Sequence, residues 1–249
     1  MEQVRKPFQG VLNIIRFNWH FYIIALLFFA GLFFCYVHVP PEFKIYVLTF
    51  TFLAISSTLL SLLASLYIYD LSDFYALKWL KKEDKFLHIV NINAGFDETT
   101  PLLQQVYTNS TVQVFDFYNE EKHTEVSIKR ARKAYPQSES IINIETNSIP
   151  LASQTTDKVF LILAAHEIRN SKERTRFLKE INRILKPNAE VYVIEHLRDI
   201  PNFLAFNIGF LHFHRKKTWI KNFKEADLTI VTEHKHTAFI TIFKLAKND

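Results

Sequence analysis

The pattern of apolar and polar positions changes character near residue 85. Before it lie two long apolar runs, residues 21–39 and 45–69, neither containing Asp, Glu, Lys or Arg. As helices they would reach roughly 28 and 37 Å, enough to cross a hydrocarbon core of about 30 Å, the second with tilt. A signal-peptide core is shorter and is not followed at once by a second span. The stretch PPEFK at 40–44 supplies the turn of a helical hairpin. Ala54, Ser57, Thr58, Ser61 and Ser65 recur at helical spacing on the second run. Such a stripe lets the first helix, or a second copy of the chain, approach closely. Residues 70–80 (DLSDFYALKWL) mix aromatic and charged positions and read as a helix or turn lying along a membrane surface.

From residue 85 the runs become short and alternate in period. Strands are predicted at 86–92, 112–117, 140–144, 158–164 and 190–195, and helices at 99–107, 120–134, 172–185 and 218–226. Two closing strands follow at 228–231 and 238–244, expected to be antiparallel. The organisation expected is a transmembrane hairpin over 1–69, an interfacial linker over 70–84 and an α/β domain over 85–249. Alternating strands and helices imply right-handed crossovers and a mostly parallel sheet, with ligands bound beyond the strand carboxyl ends where strand order reverses.

Charge refines this picture. The net charge is +5, and residues 1–82 carry seven Lys/Arg against four Asp/Glu, while the rest is nearly balanced at 23 against 21. Arg5, Lys6 and Arg16 precede the first run, and Lys78, Lys81, Lys82 and Lys85 follow the second, whereas the turn has Lys44 offset by Glu42. The positive-inside bias places both termini and the α/β domain in the cytoplasm, on a cytoplasmic membrane. An excess confined to the flanks of apolar runs fits anionic lipid headgroups and not nucleic acid. The single cysteine, Cys35, excludes an internal disulfide.

Three landmarks, in order, carry a resemblance. They are NSIPLASQTTDKVFLILAAHEI (147–168), RFLKEINRILKPNAEVYVIEH (176–196) and GFLHFHRKKTWIKNFKEADL (209–228). Over residues 69–247 the chain resembles the class I S-adenosylmethionine-dependent methyltransferases, in a type 11-like form. That resemblance implies a Rossmann-like, seven-stranded, mostly parallel sheet with a C-terminal antiparallel hairpin, and S-adenosylmethionine as cofactor. It also implies a cofactor turn at NINAGFD, where Asn91, Asn93, Gly95 and Asp97 stand at the first strand's end. Asn93 and Asp97 occupy positions where the family usually has glycine; both residue types tolerate positive φ better than most. By the same resemblance Asp116, ending the second strand, would accept hydrogen bonds from the ribose hydroxyls, and Glu145 and Thr146 would contact adenine.

Methyl transfer needs alignment of the acceptor with the methyl group, and a base where a proton must leave. His166 and Glu167 follow the fourth strand on the expected ligand-facing edge, with His166 as base or positioning group and Glu167 as a charge partner. His212 lies in a segment resembling the family's substrate-covering loop. His212 and His214, with His234 and His236 on another element, lack a cysteine or carboxylate framework, so no metal site is expected. The absence of G-x-G-x-x-G disfavours nicotinamide chemistry. The function expected is membrane-anchored methylation of a lipophilic small molecule, with the bilayer as partner and the transmembrane helices as a route to a homo-oligomer. The alternative is a catalytically degenerate scaffold in a membrane complex, which the reduced glycine content of the cofactor turn would explain.

Overall fold

The computed structural model describes residues 5–122 and 125–248. Its N-terminal part has three helices: α1 (Gln9–Phe17), α2 (Trp19–His38) and α3 (Pro41–Leu66). α2 and α3 are each long and apolar enough to cross a membrane, and α2 buries no residue within the chain. Phe21, Leu26, Phe33 and Phe52 stay largely exposed, a surface that water would not favour. Pro41 opens α3 at a position where its missing N–H costs nothing. The apolar runs at 21–39 and 45–69 therefore become 19–38 and 41–66, because Trp19 and His20 extend one helix and the turn at 40–44 is mostly helical. α3 ends in a π-helical turn, Tyr67–Leu71, which brings Tyr69 to His196 of the sheet and Asp70 to the start of α1.

The remainder is one seven-stranded sheet in the order β3-β2-β1-β4-β5-β7-β6. Its strands are β1 (Leu87–Asn93), β2 (Ser110–Asp116), β3 (Ile142–Asn143), β4 (Thr156–Ile162), β5 (Leu185–His196), β6 (Leu228–Lys235) and β7 (Ile240–Lys247). The first five pair in parallel, while β7 is antiparallel to both β5 and β6. Helices α4 (Thr100–Val106), α5 (Val126–Ala134), α6 (Ser171–Ile184), α7 (Ile200–Phe206) and α8 (Lys216–Glu225) connect the strands. Strand order reverses between β1 and β4, which opens a crevice at their carboxyl ends.

The period-two alternation of the strands builds two cores. Val90, Ile92, Val159, Leu161, Val191 and Val193 face α6 and α8, where Phe177, Ile181, Trp219 and Phe223 are buried. Leu87, Ile89, Phe160, Tyr192 and Ile194 face the other way, against Leu103 and Tyr107. Phe74, Leu77 and Leu80 complete this second core and are almost wholly buried. That corrects the expectation of a surface-lying segment at 70–80. Its aromatic and aliphatic side chains cover the sheet, each burial stabilising by roughly 2 kcal/mol.

Other differences are local. β3 is two residues long instead of the five expected, because the chain turns back through a bridge between Glu145 and Ser148. The helix expected at 120–134 begins at Val126, and residues 123–124 of that stretch lie outside the described residues. β5 starts at Leu185, so the Lys-Pro-Asn turn at 186–188 lies within its bounds instead of before it. α1 and α7 had no counterpart among the expected elements.

Far from the crevice, Lys158 is buried and reaches Glu83 at 2.7 Å and Glu190 at 2.5 Å, while Lys244 and the Tyr192 hydroxyl also bond Glu190. Burial alone would raise the Glu190 pKa; these three donors outweigh it and hold the carboxyl down at about 2. Lys158→Met is expected to destabilise the protein by roughly 3 kcal/mol, since it strips a half-buried carboxylate of its inner partner. The depressed pKa gives a contribution present above the usual carboxylate value near about 4.3 and lost as the pH falls toward 2. Thermal unfolding across that range should therefore fall more steeply for the parent than for Glu190→Gln; equal slopes would contradict this.

Candidate functional site

The site begins at the end of β1. Asn91 donates from Nδ2 to Thr99 Oγ1 at 3.0 Å and Thr100 Oγ1 at 2.8 Å, and Asp97 Oδ1 accepts from the Thr99 and Thr100 backbone N–H groups. These bonds cap α4, whose first N–H groups have no helical acceptor. They fold the chain back sharply through Gly95, which has φ +95°. A Cβ there would stand 3.0 Å from Ile128 and from the Tyr118 ring, so the turn excludes a side chain on two grounds. Asn93 Oδ1 accepts from Gly95 N–H at 3.1 Å, leaving its buried Nδ2 with no hydrogen-bond partner. At the end of β4, Leu163 is held at φ +52°, a strained conformation for a bulky residue.

Between these strand ends lies a cavity of about 230 Å³, walled by Asn91, Asn93, Phe96, Ile162 and Leu163 and roofed by α1. A second cavity of about 490 Å³ shares Asn93 and Phe96 with it and extends past Gly95 toward Gln137. The roof is fixed by contacts remote in sequence. Asp70 accepts from the Gly10 and Val11 N–H groups at 2.7 and 2.8 Å, capping α1 from the π-helical turn. Glu98 pairs with Arg5 at 3.1 Å and accepts from Gln9 and Tyr75. Phe17 packs edge-on to Phe96 and Tyr135.

A second cluster sits where β4 and β5 end. His166 Nδ1 lies 2.6 Å from Glu195 Oε2, and its Nε2 lies 3.2 Å from Glu167 Oε1. His212 Nε2 lies 3.2 Å from that same oxygen, and its Nδ1 lies 3.2 Å from Glu125. Burial works to lower the His166 pKa, but Glu195 and Glu167 prevail and push it up to about 10. Burial likewise opposes ionisation of Glu167, yet His166 and His212 hold it well below the usual carboxylate range. His196 goes the other way: burial and the neighbouring His166 charge push it down to about 4. A neutral His196 can accept from the Tyr69 hydroxyl at Nε2, 2.8 Å away, and donate from Nδ1 to the Phe239 carbonyl.

The expected site residues separate into three groups. Asn91, Asn93, Gly95 and Asp97 converge on the two cavities, and Asp97 also serves as a helix cap. His166, Glu167 and His212 converge with one another. Asp116, Glu145 and Thr146 do not open onto either cavity. Asp116 is fully buried: Oδ1 accepts from Tyr118 N–H, and Oδ2 accepts from Arg132 at 2.5 Å and from Gln137. The carboxylate expected to grip the ribose is thus closed by two side chains. Glu145 is exposed near Lys122, and the Thr146 hydroxyl donates to Glu173 of α6, because shortened β3 turns both away. Sequence reasoning missed Glu195, Glu125, Tyr69 and the whole of α1, whose roles depend on long-range contacts.

The parallel sheet with a reversal between β1 and β4 and an antiparallel β7 defines a class I methyltransferase fold. By sequence, residues 92–193 match the methyltransferase domain family. The structure is similar to that of an S-adenosylmethionine-dependent methyltransferase from Aquifex aeolicus, with a TM-score of 0.52 and 17% identity over 76% of this chain and 97% of that one. It is also similar to the PH0226 protein from Pyrococcus horikoshii, with a TM-score of 0.52 and 15% identity over 74% of this chain and 96% of that one. No curated protein matches the chain by sequence. Residues 92–193 thus carry a methyltransferase-domain match, set within the fold of the S-adenosylmethionine-dependent methyltransferases.

The crevice fits such a ligand at the end of β1, where Asn93 lines the cavity and presents an unsatisfied buried donor, while Ile128 and Tyr118 pack directly against Gly95. It fits less well at Asp116, where Arg132 and Gln137 occupy the acceptor. Removal of the Asp70 cap in Asp70→Ala should cost α1 about 1 kcal/mol, or about fivefold in its opening equilibrium. Hydrogen exchange at Gly10 and Val11 should accelerate accordingly; unchanged exchange would show that Asp70 does not hold the roof.

Proposed function

We propose that the protein sits in a membrane through α2 and α3, with its α/β domain on the cytoplasmic face, and methylates a lipophilic acceptor taken from the bilayer. The observation that carries this reading is a third cavity of about 470 Å³. Phe21, Tyr22 and Ala25 of α2 wall it on one side, Thr58, Ser61 and Ser65 of α3 on another, and Phe206, Ile208 and His212 close it from the domain. It shares Ile14, Asn18 and Tyr69 with the cavity at the β1–β4 crevice, so the two adjoin. The small residues of α3 thus line a space between the helices and the domain, and Ser57 donates to Asn207 at 2.8 Å to hold that juxtaposition. A freely soluble acceptor would have no use for a chamber walled by membrane helices.

Bound in the crevice, S-adenosylmethionine would supply an electrophilic methyl group on a sulfonium. The chain's own residues do the rest. Asn93 would donate to the ligand from its unpaired Nδ2, and α1 excludes water from above. His212 reaches the wall of the acceptor chamber, and the ionised Glu167 behind it can accept a hydrogen bond from a hydroxyl or amine. Proximity and alignment then account for most of the acceleration a displacement of this kind needs.

The test is transfer from methyl-labelled S-adenosylmethionine in vesicles containing a membrane lipid extract. Label should enter the organic phase, and Ser61→Trp, which fills the chamber, should lower transfer at least tenfold while cofactor affinity stays within about twofold. Label found in water-soluble products alone, or full transfer by Ser61→Trp, would overturn the acceptor assignment. Failure of the parent to bind the cofactor would instead favour a scaffold role.

A further inference from the structure

We infer that His166, Glu167 and His212 form a binding site for one divalent transition-metal ion of the zinc type, at the wall of the membrane-facing chamber. One nitrogen of each ring and a carboxylate oxygen of Glu167 lie within 4.8 Å of one another. Two histidines and a glutamate are an established donor set for zinc, which takes nitrogen and oxygen ligands at about 2.0–2.1 Å. Tetrahedral ligands at that radius stand about 3.3 Å apart. Both ring nitrogens stand 3.2 Å from Glu167 Oε1.

That spacing matters because it is long for the alternative. A charged N–H donating to a carboxylate normally comes to about 2.7–2.9 Å. The site shows that it can make such a bond, since His166 Nδ1 lies 2.6 Å from Glu195. The inner contacts stay wider, and both rings crowd one oxygen. Its companion, Oε2 of Glu167, is buried and has no hydrogen-bond partner. An isolated lone pair on a buried carboxylate is costly unless something cationic satisfies it.

Each ring turns its Nε2 inward and its Nδ1 toward a carboxylate, His166 to Glu195 and His212 to Glu125. A carboxylate behind each ligating imidazole fixes its tautomer and orientation and raises its basicity, the usual outer shell of a histidine-bound metal. Solvated histidines would have no reason to be held this way on both rings. Three protein ligands leave a fourth position for water or for an oxygen of the acceptor. His212 also lines the chamber between α2, α3 and the domain. The site assigned here does not require the lipophilic-acceptor reading, because metal binding is read without any acceptor.

The experiment uses the full chain in detergent, stripped with a chelator and titrated with Zn²⁺ and separately with Co²⁺. One equivalent of each should bind, and the cobalt form should show the intense visible absorption of a four- or five-coordinate ion. His212→Ala and Glu167→Gln should each weaken binding at least 100-fold, and Glu195→Gln, which alters only the outer shell, by about 10- to 100-fold. His212 is partly exposed, so its variant should fold even where a change at buried His166 does not, and circular dichroism with thermal melting checks this. No saturable uptake by the parent overturns the site. So does equal affinity in the parent, His212→Ala and Glu167→Gln, which would place the ion on unrelated surface groups.

Discussion

The architecture turns on how β1 ends. Asn91 and Asp97 between them satisfy the hydroxyls and backbone N–H groups that open α4, and the chain can do this only by reversing through Gly95 at positive φ. That reversal keeps the space between β1 and β4 clear of backbone at the point where strand order switches. Parallel sheets leave such a crevice at every switch point. Here it is bounded by an unpaired Asn93 amide and by Leu163 in a strained conformation, groups whose energetic cost is understandable where a ligand binds.

The membrane-type helices are integrated with this crevice. The π-helical turn at the end of α3 sends Asp70 to cap α1 and Tyr69 to His196, while the following segment covers the sheet with Phe74, Leu77 and Leu80. α1 then lies over the β1–β4 opening and leads straight into α2. One continuous set of contacts therefore joins the β1–β4 crevice, the cluster at the ends of β4 and β5, and the chamber between α2 and α3. Tilting of α3 against the domain would be felt at the roof of the crevice through Asp70, since a capping bond tolerates little displacement.

Much of the fold could be read from periodicity. The two apolar runs, the alternation of short strands with helices and the closing antiparallel pair depend on local pattern, and these emerge with shifted boundaries. What could not be read depends on distant partners. α1 buries Gly10 and Asn13, residues with no apolar signature, because Asp70 and Glu98 meet them from roughly 60 and 85 positions away. Residues 70–80 look amphipathic enough for a membrane surface, and only the three-dimensional sheet supplies the better place for Phe74. At the site, the glycine turn was legible because its chemistry is local. The closure of Asp116 by Arg132 and Gln137, the turning away of Glu145 and Thr146, and the meeting of His212 with Glu167 across 45 positions were not.

Direct calorimetric titration of the full chain in detergent measures whether the crevice at the end of β1 admits S-adenosylmethionine. Saturable micromolar binding is expected, displaced by S-adenosylhomocysteine and lost in Gly95→Val, whose side chain would strike Ile128 and Tyr118 and distort the turn. Absence of binding by the parent, or undiminished binding by Gly95→Val, would contradict it.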